Sequence, residues 1–175
     1  MSAAGTTYEL HGVVAAPDVL EPLCDRYPHA RPALLDGAEL ALLPLCEQLL
    51  HDIDLAGVPM GPEWAFDRLS SGLAAVLTAA SRRGTVVYLE ADYAGGLGRQ
   101  SAVAWLDCHL VYGPEVLLPD EPFPVPTRDA TGGAPVVAAL RYLGVQAVGA
   151  RDEFVVLGLG RHRSTREWCT AGLRR

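Results

Sequence analysis

Two stretches of this sequence carry side chains whose types and spacing suit chemistry. The first is Glu90-Ala91-Asp92-Tyr93-Ala94-Gly95-Gly96-Leu97-Gly98-Arg99-Gln100. Glu90 and Asp92 stand two residues apart, so on an extended chain their carboxylates lie on one face. Such a pair can share a proton, bind a cation or hold a basic partner. A solvated strand face gives the same pattern. Gly96-Leu97-Gly98 follows an apolar run, as a dinucleotide fingerprint requires, but position 101 is serine where the third glycine belongs.

The second stretch is Gly158-Leu159-Gly160-Arg161-His162-Arg163-Ser164. Amides at a helix start beside two arginines suit an anion. His162 is of the residue type that serves as general acid or base. Gly-Leu-Gly-Arg occurs in both stretches, at residues 96–99 and 158–161. Their surroundings differ, and a repeat is not implied. If the two turns met, Arg99, Gln100, Arg161, His162 and Arg163 would form one anion site. His51-Asp52-Ile53-Asp54 has the look of a metal-site fragment but closes an amphipathic run. His11, His29 and His109 are isolated. No metal site, no cofactor and no nucleophile elbow are expected.

Composition narrows the classes. The chain has 175 residues and a net charge of −7. That balance argues against broad nucleic-acid binding, which needs a positive field. No run reaches the roughly 20 apolar residues that span a membrane. All 14 basic residues are arginine; lysine and asparagine are absent and Ile53 stands alone of its type. This is the residue usage of GC-rich, actinobacterial coding. It also removes lysine chemistry: no Schiff base, no P-loop lysine and no lysine general base. The N-terminal residues read as no secretion signal, so the expected place is the cytoplasm. There Cys24, Cys46, Cys108 and Cys169, none in a C-x-x-C pair, would be reduced, buried and small.

The elements that must position these residues follow from periodicity. Tyr8–Ala15 reads as a strand with Tyr8, Leu10, Gly12 and Val14 on one face. Pro17 opens a helix. Asp36-Gly37 joins Arg31–Leu35 to Glu39–Leu43 as a hairpin. Leu45, Cys46, Leu49, Leu50 and Ile53 mark a second helix. A long helix is expected from Pro62, with Phe66, Leu69, Leu73, Val76, Leu77 and Ala80 on one face and Gly84 as its stop. Thr85–Tyr93, Gln100–Leu106 and His109–Tyr112 form an antiparallel meander turning at Asp107-Cys108. Residues 114–133, rich in proline, read as a surface loop. Pro135 starts a helix that Gly144 ends. Phe154–Leu157 reads as a last strand, and Ser164 with Glu167 caps a final helix. Without βαβ alternation, the expected class is a single α+β domain over residues 1–175, with helices on a mainly antiparallel sheet.

Tyr88 to Trp105, with Asp152-Glu153-Phe154 through Arg163 and Trp168, resembles a set of uncharacterised small proteins of actinobacteria. The shared pattern is a strand, an acid, a Gly-Gly-x-Gly-x-Gln turn and a strand ending in tryptophan. Their general character is similar to that of immunity proteins, which bind and block a toxin of the same cell. The resemblance assigns no functional residue. It implies a non-catalytic module whose partner is another protein, with a homo-oligomer left open. The contact region expected on this reading is Glu90, Asp92, Asp120 and Glu121. The alternative is a phosphate- or nucleotide-directed enzyme or sensor built on the two Gly-Leu-Gly-Arg turns.

Overall fold

Among the described residues the pairings between strands are all antiparallel, and they join into one six-stranded sheet. The computed structural model describes residues 7–55, 66–94, 97–118 and 134–171. The strands are β1 (Tyr8–Ala15), β2 (Ala33–Leu34), β3 (Ala41–Pro44), β4 (Val86–Ala94), β5 (Leu97–Leu106) and β6 (His109–Leu117). Their order across the sheet is β2-β3-β1-β4-β5-β6. The helices are α1 (Pro17–Arg26), α2 (Glu47–Leu55), α3 (Ser71–Ala80), α4 (Pro135–Arg141), α5 (Glu153–Val156) and α6 (Thr165–Ala171). No described helix is long and apolar enough to cross a membrane. The class is α+β, as expected.

Strand alternation sorts the helices into two layers. Val13, Val86, Tyr88, Val103 and Trp105 point to one side, where α1, α2 and α3 pack Leu20, Leu23, Leu49, Ile53, Leu73 and Leu77 against them. Leu10, Val14, Val87, Leu89, Ala102 and Ala104 point to the other, against Val136, Ala139 and Leu140 of α4 and Trp168 of α6. We call these the front and back faces.

Local signals settle several elements. Pro17 opens α1. The Asp36-Gly37 hairpin sets Ala33 opposite Leu42, and Gly37 takes a positive φ of 65°. Asp107 and Cys108 both have positive φ, which the two-residue turn between β5 and β6 requires. Gly144, at φ 80°, follows α4.

Other elements depart from expectation. The long helix begins at Ser71 rather than Pro62; Ser70 caps it by accepting from Leu73 N, and residues 56–65 lie outside the described residues. Phe66–Leu69 is not helical because Glu90 accepts the amides of Asp67 and Arg68. Phe154–Leu157 is not a strand. Asp152 accepts from Val155 N and starts the short helix α5 instead. The first residues of the loop expected from 114 belong instead to β6, which continues to Leu117 and contains a cis Gly113–Pro114 bond; residues 119–133 of that expectation lie outside the described residues.

The cysteines are also corrected. Cys46 and Cys169 form a disulfide across a sequence separation of 123, while Cys24 and Cys108 are free and only half-buried. The pairing comes from the chain's closure. β3 covers only Gly12–Ala15 of β1. Beyond its end, Arg163 O accepts from Glu9 N, and Ser164 bridges Glu9 in parallel. Thr165 Oγ1 accepts from His11 N at 2.9 Å. Helix α6 therefore starts where β3 stops, bringing Cys169 to Cys46.

Candidate functional site

Along the front face the sheet changes character. Its core rows are apolar, with Val13 opposite Tyr88 and Tyr88 opposite Val103. One step along, His11 faces Glu90, and Glu90 faces Ser101. One step further, Glu9 faces Asp92, and Asp92 faces Arg99. Two successive rows of core-facing strand positions are thus polar. They share one end of the sheet.

Glu90 is the buried anchor of this end, 4% exposed. Its Oε1 accepts from Arg68 N at 2.7 Å and from the Tyr88 hydroxyl at 2.5 Å, and its Oε2 from Asp67 N at 3.0 Å. Three donors satisfy a carboxylate that burial would otherwise penalise. Burial and the neighbouring Glu90 charge push the Tyr88 hydroxyl well above the usual tyrosine range, so it stays a donor. Ser101 Oγ is buried beside them and has no hydrogen-bond partner among the described residues.

Around the anchor lies a charged rim. Asp67 accepts from Arg99 at 2.8 Å, Glu47 pairs with Arg68 at 2.8 Å, and His11 Nδ1 meets Glu9 Oε1 at 2.9 Å. Asp92 is exposed and makes no side-chain hydrogen bond or ion pair among the described residues. Two hollows open here. One, of about 460 Å³, is lined by Glu9, His11, Glu47, Arg68, Thr165 and the Cys46–Cys169 bond. The other, of about 390 Å³, shares Glu47 and Arg68 and adds His51, Asp54, Asp67 and Ser70.

The structure divides the expected residues. Glu90, Asp92 and Arg99 share the polar end, but Glu90 is not a displayed acid. It faces inward and holds the 67–68 backbone. Asp120 and Glu121 lie outside the described residues. Gln100 points to the back face, opposite to Arg99, and accepts from Val136 N at 3.2 Å. Arg161 pairs with Asp36 at 3.0 Å and lies 4.9 Å over the Trp168 ring, with His162 edge-on at 4.7 Å. Arg163 joins the structure through its carbonyl to Glu9 and its amide to Glu167 Oε2. Gln100 and Gly160 do line one back-face cavity, yet the arginines of the two turns sit on opposite sides of the sheet. Among the described residues no cluster of histidine, cysteine or acid is arranged to hold a metal ion. His29 Nδ1 instead meets Asp52 at 2.7 Å.

Sequence reasoning missed Glu9, His11, Asp67 and Arg68. A signal existed for the first two. Positions 9, 11, 13 and 15 share a face, and that face turns from Val13 and Ala15 to His11 and Glu9. Nothing local marks Asp67 and Arg68, because a residue more than twenty positions away draws them in.

Comparison with protein families, with curated proteins and with solved structures finds no match to this chain.

Proposed function

We propose that the protein is a non-catalytic binding module whose polar sheet end recognises a basic surface of another protein, in the manner of an immunity factor. One observation carries this. Glu9 and Asp92 are exposed and directly opposed in the β1–β4 register. Like charges in that relation destabilise a sheet. With Glu47 and Asp67, each paired to an arginine, they leave the rim net acidic, four carboxylates against Arg68 and Arg99, and a cationic partner would relieve that excess. The anchored Glu90 keeps the rim rigid, which lowers the ordering cost of association. The scattered arginines give the phosphate-directed alternative no comparable support. The disulfide favours an oxidising compartment over the cytoplasm expected from the sequence.

The test is affinity capture from the source cell with the wild-type chain and with Glu9→Arg/Asp92→Arg. The expected result is a protein retained by the wild type, released as salt rises and lost in the variant. Equal retention by both, or no stable partner, removes the reading.

A further inference from the structure

On the back face, at the same end of the sheet, a cavity of about 560 Å³ opens between the strands and the helices α4 and α5. Protein interiors leave few voids larger than a water molecule. A hollow of this size lies in the range of small-molecule sites, roughly 300–1,000 Å³. Its wall is aromatic. The Tyr8 ring stands 5.6 Å from Phe154 at 71° and 6.2 Å from Tyr93 at 55°. Val136 and Val155 add aliphatic surface, and Gly160 leaves a gap in the wall.

The polar ends of these rings are turned into the protein. Tyr8 donates to Leu159 O at 3.1 Å, and the Gln100 amide donates to the Tyr93 hydroxyl while its Oε1 accepts from Val136 N. The ring orientations are therefore fixed before any guest arrives. At the rim, the Arg151 guanidinium and the Asp152 carboxylate are 3.8 Å apart and offset each other. Among the described residues the lining thus offers ring faces and edges, aliphatic surface and no net charge.

We propose that this cavity binds an uncharged, flat aromatic small molecule. A guest ring would extend the tilted and edge-to-face arrangement the wall already has, the arrangement aromatic pairs favour. The site is independent of the acidic rim, since the sheet separates them.

The probe is β-naphthol, with its sulfonate as the charged counterpart. Binding is followed by calorimetry and by ligand-induced thermal stabilisation. A Cβ at Gly160 would stand 3.6 Å from Phe154 Cε1, an ordinary contact. Gly160→Leu should therefore fill the gap. Val155 is about half exposed, so Val155→Trp should obstruct the mouth without disturbing the core. The expected result is saturable one-to-one binding of β-naphthol, weaker binding of the sulfonate, and at least tenfold loss in a folded variant of either kind. Proton contacts from the probe to the Tyr8, Tyr93 and Phe154 rings, measured on the wild type, should locate it. No saturable binding, contacts to other residues only, or unchanged affinity in both variants overturns the proposal.

Discussion

Glu90 and Asp92 share a strand face, yet they do opposite work. Glu90 is enclosed by two amides and a hydroxyl; Asp92 stands in solvent opposite Glu9. Replacing Glu90 by alanine leaves three donors without their acceptor. Each buried polar group left unpaired costs about 1–3 kcal/mol, so Glu90→Ala should lose about 3 kcal/mol of stability or more. Glu90→Gln keeps one oxygen acceptor and should lose less. Asp92→Asn should change stability far less, by under about 1 kcal/mol, because it ends a like-charge opposition to Glu9 and an opposite-charge one to Arg99 together. Urea unfolding of the three variants checks the order. A Glu90→Ala protein as stable as wild type would mean that the carboxylate does not hold the 67–68 segment.

At the scale of elements, α6 is secured at three points: the Arg163–Glu9 backbone bond, the Thr165–His11 bond and the disulfide to Cys46. A cross-link closing so long a loop removes much freedom from the unfolded chain, and losing such a bond typically costs about 2–5 kcal/mol. Cys169→Ser should lower the urea midpoint accordingly, and a reductant should do the same to wild type but not to the variant. A reductant effect of equal size on both would sink the assignment. Elements with local punctuation were legible in the sequence: Pro17 before α1, Asp36-Gly37, Asp107-Cys108 and Gly144. Phe154–Leu157 was not, because a short run of β-branched and aromatic residues suits strand and buried helix alike, and the Asp152 cap decides between them. The start of α3 and the disulfide depend on Glu90 and Cys169, distant partners that local patterns cannot supply. The separation of Arg99 from Gln100 was in the sequence: they are adjacent on a strand, so alternation sends them to opposite faces.

For the molecule as a whole, the tyrosines tie the two faces of the sheet to alkaline pH. Tyr88 lies in the front core, with Tyr8 and Tyr93 around the back cavity and Tyr112 partly buried in the back layer. Burial is the largest cause in each case, and it pushes all four hydroxyls above the ordinary tyrosine value, Tyr112 up to about 12. The folded state therefore holds these protons more tightly than the unfolded chain, whose tyrosines ionise near pH 10. Stability supplied by the neutral hydroxyls is fully present below about pH 10 and is lost as the pH rises above it, since the unfolded chain then releases protons the folded chain retains. Unfolding free energy measured across this range should be flat with respect to these groups up to about pH 10 and fall beyond it. Ultraviolet absorbance should show tyrosinate appearing together with unfolding. Tyr88→Phe should make the fall shallower, because the most strongly shifted of the four is gone, although it also removes a donor from Glu90 and lowers the starting level. Stability that holds flat well above pH 10, with Tyr8 and Tyr93 themselves ionising in the folded protein, would mean that these two rings are open to water and that the back cavity has no preformed aromatic wall.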